Sequence, residues 1–339
     1  MQRRIRWGIL SPAGIGIKKV IPAMQKSELC DITAIASRDL GRAQKAADHL
    51  GIPKAYGSYE ELLADKDIDA IYNPLPNDLH VPWSIKAAEA GKHVLCEKPI
   101  SMTAAEAKLL IAARDRTGVK IGEAFMVRTH PQWLLAQEIV KSGQLGRIVS
   151  IAGFFSYTNR DPKNIRNNVA MGGGALMDIG CYPITQTRFL LGEEPTRVIG
   201  NIDRDPDFGT DRCSSVLMQF PTGQALFSCS TQMVPYQRVI VFGTSARLEL
   251  QIPFNAIPGQ PSHLFIDDGT EINASSAKML QTNPCDQYTI QGELFSEAIL
   301  NNSEVAVPLE DSLKNMAVIQ AIFRSATTNR WECPADFAA

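Results

Sequence analysis

The residues with chemistry in their surroundings come first, beginning with a lysine that closes a strand. The run His93-Val94-Leu95-Cys96 reads as a short buried strand and ends directly in Glu97-Lys98-Pro99. Proline restricts the backbone before and after it, so the Lys98 ammonium is aimed rather than loose. Glu97 can orient that lysine or pair elsewhere. Further on, residues 164–184 read NIRNNVAMGGGALMDIGCYPI. Gly172, Gly173 and Gly174 permit close backbone approach or positive φ. Asp178 and Tyr182 are four residues apart and share a face if the segment is helical. Pro183 places the start of the regular helix near Tyr182, and Gly192 stops it after Leu191. A carboxylate and a phenol aimed at one place can bind a hydroxyl and move its proton. Each group alone also has a plain reading: a solvated strand-end lysine, an N-capping aspartate, a core tyrosine.

The elements that must position these groups fall into two sets. Through residue 124 strand and helix alternate. Strand-like runs at 6–10, 31–36, 68–72, 94–96 and 119–121 are separated by helical spacing at 15–25, 42–50, 82–90 and 103–116. Ser58 with Glu61 forms a capping box before a short helix. That rhythm predicts right-handed βαβ crossovers and a parallel, doubly wound sheet. After about residue 125 it changes. A helix from His130 to Lys141 is followed by long strand-like runs at 148–155, 216–220, 225–229, 238–242 and 247–250, with hairpin turns at Pro221-Thr222-Gly223 and Gly243-Thr244-Ser245. The expected architecture is an α/β dinucleotide-binding domain over 1–124, then an α+β domain over 125–339 built on a large, mostly antiparallel open sheet, closed by helices near 288–300 and 312–327.

The first strand–helix turn reads GILSPAGIGIKK. Of the three glycines in a GxGxxG, only Gly16 is kept; Ser11 and Ala13 stand at the other two positions. Together with Gly14 and Ile15 they form a small-residue turn at the start of the first helix, where backbone N–H groups can face a pyrophosphate. The plain alternative is a tight turn. The second strand ends in Ala36-Ser37-Arg38-Asp39. Ser37 and Arg38, with Arg42 one turn on, suit a ribose 2′-phosphate, so NADP is expected; Asp39 keeps NAD open. The loop Pro74-Leu75-Pro76-Asn77 and His80 follow the next strand at the carboxyl edge of the sheet, where open α/β sheets bind ligands. Pro74, Leu75, Asn77, His80, Glu97, Lys98 and Pro99 are therefore cofactor-contact candidates, with helix capping the alternative for Asn77.

Composition narrows the class. A formal net charge of −2 gives no basic field for nucleic acid. No apolar run approaches the roughly 18–20 residues of a membrane span. The basic start, Met1 to Trp7, enters a strand at once, with no apolar region or cleavage site behind its paired arginines. Seven scattered cysteines without a CxxC read as reduced packing residues, with no metal site, and the expected address is cytoplasmic.

GILSPAGIG, NPLPNDLH, CEKP and GGGALMDIGCYP occur in that order and at fitting intervals. On them the whole chain resembles the glucose-fructose oxidoreductase/inositol dehydrogenase (Gfo/Idh/MocA) family. Tyrosine at 182, where the inositol dehydrogenase branch has histidine, is similar to the branch of glucose-fructose oxidoreductase, dimeric dihydrodiol dehydrogenase and NADP-dependent D-xylose dehydrogenase. The chain lacks the secretory leader and N-terminal arm of glucose-fructose oxidoreductase itself. The resemblance implies hydride transfer between a sugar-like carbinol, such as an aldose oxidised at C1 to a lactone, and nicotinamide, with Lys98 and Tyr182 as a pair. The phenol, of pKa about 10 when free, would be eased toward phenolate by the ammonium. Asp178 would bind substrate hydroxyls or hold Lys98. Asn164, Arg166 and Arg128 would contact substrate, and His130 would either do so or cap its helix. The alternatives are a trans-dihydrodiol dehydrogenase, a dicarbonyl or keto-sugar reductase, and a non-catalytic NADP(H) sensor. The open sheet is expected to bury its free face in a homodimer or homotetramer.

Overall fold

The computed structural model describes residues 3–338; Met1, Gln2 and Ala339 lie outside them. The chain divides into two compact units: residues 1–126 with 286–313, and residues 127–285 with 314–339.

In the first unit β1 (Ile5–Leu10), β2 (Cys30–Ala36), β3 (Lys54–Tyr56), β4 (Ala70–Asn73), β5 (His93–Cys96) and β6 (Ile121–Glu123) form one sheet in the order β3-β2-β1-β4-β5-β6. Every pairing is parallel. The crossovers are α1 (Ile21–Met24), entered through a π-helical turn over Gly16–Val20, then α2 (Leu40–Leu50), α3 (Tyr59–Ala64), α4 (Asn77–Glu89) and α5 (Ala104–Thr117). The strand order reverses direction between β1 and β4. The crevice beyond the carboxyl ends of those two strands is the ligand position of a doubly wound sheet. The first half of the capping box is present, with Ser58 Oγ accepting the Glu61 N–H at 3.1 Å, but the Glu61 carboxylate turns back to the N–H of Gly57, one residue before the cap.

The second unit holds α6 (Pro131–Lys141), α7 (Cys181–Leu191) and an eight-stranded sheet. Its strands are β7 (Ile148–Thr158), β8 (Arg197–Arg204), β9 (Asp211–Gln219), β10 (Gln224–Ser230), β11 (Gln232–Gly243), β12 (Arg247–Leu250), β13 (His263–Asp267) and β14 (Lys278–Gln281), in the order β14-β13-β12-β11-β7-β10-β9-β8. All neighbours are antiparallel except β7 and β10. One face buries Ile151, Phe155, Ala225, Phe227, Val239 and Val241. The other leaves Phe154, Leu226, Tyr236, Phe242 and Met279 exposed.

The structure corrects the expected division. The first unit's leading segment runs to Met126 rather than 124, and α8 (Gln287–Leu300), read as part of the second domain, belongs to the first. Its sequence predicts a helix but not the core it serves. Gly292 lets α8 lie against Met24 and Cys30, Thr289 Oγ1 donates to the Ala23 carbonyl at 2.8 Å, and Phe295 packs on Trp7. From α9 (Leu309–Thr328) the chain returns to the second unit, and α10 (Ala335–Ala338) ends it. No helix among the described residues is long and apolar enough to cross a membrane.

Candidate active site

Each unit carries one cluster. In the first, three loops gather at the carboxyl ends of the neighbouring strands β1, β4 and β5. The turn after β1 is shaped by Ser11, a non-glycine residue with φ of 84°, at the position where the dinucleotide pattern has its first glycine. No side chain caps the helix that follows. A Cβ added at Gly14 would meet nothing within 4 Å. At Gly16 it would touch Ile21, Tyr72 and Pro74 only at ordinary van der Waals distance. An uncapped helix start with open space over a small residue fits a pyrophosphate.

After β2, Ser37 is buried and its Oγ accepts the Asp39 N–H at 3.3 Å. Asp39 is the N-cap of α2 and accepts the Arg42 N–H at 3.2 Å. The one acidic residue able to bind a ribose 2′-OH is thus engaged in capping, while Arg38 and Arg42 are exposed.

After β4, Asn73 is fully buried and folds the loop: its Nδ2 donates to the His80 carbonyl and Ser84 Oγ, and its Oδ1 accepts the Leu75 N–H. Pro74 and Leu75 are buried and Asn77 is half-buried at the start of α4. His80 is 1% exposed, with Nδ1 2.8 Å from the Pro99 carbonyl and Nε2 2.8 Å from that of Leu75. Both ring nitrogens are taken by main chain, which corrects the expectation of a direct cofactor contact: this histidine acts on the two loops it joins.

After β5, the Tyr72 hydroxyl donates to Glu97 Oε1 at 2.6 Å, and Glu97 Oε2 accepts the Lys98 N–H at 3.3 Å. Burial, then the Glu97 charge, pushes the Tyr72 phenol well up, so it stays a donor. The Lys98–Pro99 peptide is cis.

In the second unit the three glycines are needed for backbone packing. Gly172 has φ of 75°. A Cβ on Gly173 would fall 2.5 Å from the Arg166 carbonyl oxygen. Gly174, with φ of 120°, donates its N–H to that same carbonyl, and Asp211 lies directly against its α-carbon. Asp211 Oδ2 in turn accepts the Leu176 N–H at 2.6 Å and the Ser214 hydroxyl at 3.0 Å. It seats the π-helical turn Leu176–Gly180 that leads into α7. This aspartate, remote from every motif read in the sequence, holds the segment carrying Asp178 and Tyr182.

Asp178 and Tyr182 are both buried. The Tyr157 hydroxyl donates to Asp178 Oδ2 at 2.5 Å, and Arg166 Nε lies 2.9 Å from the same oxygen. The Asp178 charge, against burial, holds the Arg166 guanidinium firmly protonated, with both Tyr157 and Tyr182 near it. The Tyr182 ring meets Phe155 edge-on at 5.5 Å and leans on Phe254 at 5.5 Å. Asn164, expected at substrate, caps a short 3-10 turn by accepting the Arg166 N–H at 3.1 Å. Arg128 reaches Thr185 Oγ1 at 3.4 Å and stacks on Phe189, bracing α7. His130 takes the capping role: its Nδ1 accepts the Gln132 N–H, its Nε2 lies 3.4 Å from Cys285 Sγ, and burial lowers its pKa to about 4. Cys96 and Cys181 are buried packing residues.

Burial raises the Asp211 pKa to about 6, against the pull of the Leu176 N–H and Ser214. A carboxyl whose folded pKa lies above its unfolded value favours the fold while protonated, and that contribution is lost as pH rises through about 6. Asp211→Asn removes the titration. Relative to wild type its stability is expected to increase by about 1–3 kcal/mol between pH 4 and 7.5. Urea midpoints at the two pH values check this, and a constant difference would contradict it.

A Rossmann first unit, followed by a second unit whose open sheet backs a buried phenol and carboxylate with a half-exposed guanidinium beside them, defines a class of two-domain oxidoreductases. Residues 5–125 match the oxidoreductase family with NAD-binding Rossmann fold, and residues 133–249 match the GFO/IDH/MocA C-terminal domain. The chain belongs to the Gfo/Idh/MocA family. It is 47% identical to an uncharacterised oxidoreductase of Rhizobium meliloti, over 97% of this chain and 98% of that protein. It is 40% identical to D-xylose 1-dehydrogenase (NADP(+)) 2 of Haloferax volcanii, over 95% and 97%. Among solved structures, a 3-ketoreductase from Actinomadura kijaniata in complex with NADP and TDP-benzene superposes with a TM-score of 0.89 at 28% identity, covering 95% of this chain and 98% of that one.

Proposed function

We propose that this chain is an NADP-dependent oxidoreductase acting on a sugar-like carbinol, an aldose first of all, with Lys98 and Tyr182 as its proton relay. The observation that carries the reading is the carboxyl edge of the first sheet, where the turn at 11–16, the loop at 74–80 and Glu97-Lys98-Pro99 meet at three adjoining strands. Ser11, Ala13, Gly14, Ile15 and Gly16 would hold the pyrophosphate through main-chain N–H groups. Ser37, Arg38 and Arg42 would take the 2′-phosphate, and Pro74, Leu75, Asn77, Glu97 and Pro99 would border the nicotinamide half. When bound, NADP supplies hydride acceptance or donation at the carbinol carbon.

Tyr182 accepts the hydroxyl proton in oxidation and returns it in reduction. The Lys98 ammonium favours the phenolate form and binds the reacting oxygen. Asp178, steadied by Tyr157, and Arg166 bind neighbouring hydroxyls of the substrate. Arg128 and Asn164 support α7 and the 166 loop rather than touching substrate first-hand. The similarity to a 3-ketoreductase supports a second reading on the same residues, reduction of a keto sugar. Rates for a panel of pentoses, hexoses, keto sugars and trans-dihydrodiols, each with NADP and NAD and followed by nicotinamide absorbance, test both readings. Tight NADPH binding with no turnover on any of them would overturn both in favour of a sensor.

Arg38→Ala is expected to weaken NADP by about tenfold or more, the loss of one charge-assisted contact, and NAD far less. Equal losses in titrations with the two cofactors would remove the 2′-phosphate assignment. We further propose a homodimer through the exposed sheet face, where Phe154 and Tyr236 lie side by side at 6.4 Å and Leu226, Phe242 and Met279 extend the apolar surface. Sedimentation velocity reads this directly, and a monomer at assay concentration would sink it. Seven scattered cysteines without a CxxC suit a reducing, cytoplasmic compartment.

A further inference from the structure

The imidazole of His80 stands between two acceptors. Nδ1 is 2.8 Å from the carbonyl oxygen of Pro99, and Nε2 is 2.8 Å from that of Leu75. A carbonyl oxygen only accepts. A neutral imidazole carries one N–H and one lone pair, so it can satisfy one of these oxygens and must turn a lone pair toward the other. The ring is 1% exposed, so water cannot take the place of the missing donor. Both separations fall within the roughly 2.7–3.2 Å of an N–H···O=C hydrogen bond, so each carbonyl is placed to accept a proton from the ring.

We propose that His80 is carried as a buried imidazolium that donates from both ring nitrogens and so pins the loop bearing Lys98 to the loop after β4. It is a positioning residue. One arm ends at Pro99, adjacent to Lys98, and the other at Leu75, whose N–H is itself held by Asn73. Asn73 also takes the His80 carbonyl, so the loops after β4 and β5 become one hydrogen-bonded unit.

Two charged groups bear on the ring. Lys98 opposes the added proton. Asp78, in the first turn of the same helix, supports it, and Asp78 Oδ1 is buried with no hydrogen-bond partner. Burial is the largest influence and holds the ring's pKa below its ordinary value, against the two carbonyls, which raise it. Geometry decides between them. Loss of the proton would leave a buried lone pair facing a buried carbonyl at hydrogen-bond distance.

The test is long-range 1H–15N correlation on the full chain labelled with 15N-histidine, at pH 7. Of the five histidines, the signal removed by His80→Gln is expected to show both ring nitrogens protonated. Should that variant not fold, the signal is assigned by elimination with single glutamine variants at His49, His93, His130 and His263. A one-proton tautomer pattern for His80 overturns the proposal. This readout stands whether or not the oxidoreductase reading holds. A second arm rests on that reading: His80→Gln is expected to lower kcat about tenfold or more through misplacement of Lys98, with the NADP KM changed less than twofold. An unchanged kcat would end the positioning role even with the imidazolium in place.

Discussion

Lys98→Met and Tyr182→Phe are each expected to lower turnover by about 10²-fold or more, with NADP affinity nearly unchanged. Methionine keeps most of the volume of lysine and removes only the ammonium. Phenylalanine keeps the ring that meets Phe155 and Phe254, so the core around residue 182 stays packed and the loss is chemical. The two groups act as one relay in the proposal, so the double variant falls little further than the worse single one. Independent roles would instead multiply. Steady-state kinetics on the best substrate of the panel, with cofactor titration by nicotinamide fluorescence, measure all three. Wild-type turnover in either single variant would remove the proton-transfer assignment.

Gly174→Ala is expected to cost about 2–5 kcal/mol of stability and to abolish turnover in whatever remains folded. Alanine resists a φ of 120°, and its methyl would occupy the space of the Asp211 carboxylate. Asp211 would have to release the Leu176 N–H, freeing the turn that aims Asp178 and Tyr182. Gly14→Ala is the control, because its added carbon meets nothing. Urea unfolding of both variants checks the contrast, and equal stabilities would show that the glycine run is dispensable.

The first unit was legible because parallel strands and their crossover helices leave a regular rhythm, and because turn chemistry marks the carboxyl ends of strands. Tyr182 and Asp178 stood out for a similar reason: four-residue spacing beside three glycines is a local signal. What escaped was carried by long-range partners. Asp211 lies 33 positions after Asp178, and only the pairing of β9 into the sheet brings it to the glycines. Tyr157 sits in a strand rich in aromatic and β-branched residues, where nothing separates a core ring from one whose hydroxyl meets a carboxylate. His80 lies beside the ligand edge in sequence, which invited a ligand contact, but its ring turns inward because α4 buries that face. β13 and the edge strand β14 are short and flanked by polar loops, and β8, at the opposite edge, alternates too weakly to read. Ser11 takes a left-handed backbone in a position where only glycine is usually sought.

The return of α8 to the first unit has a consequence for biosynthesis. That unit draws residues from both sides of an insertion of about 160 residues, Val127 to Cys285. On a ribosome, the sheet that carries Trp7 can form early, but the helix that shields Trp7 and Met24 is not yet made. The amino-terminal half must therefore wait, partly uncovered, until translation has passed residue 313. The two halves then mature together rather than one after the other.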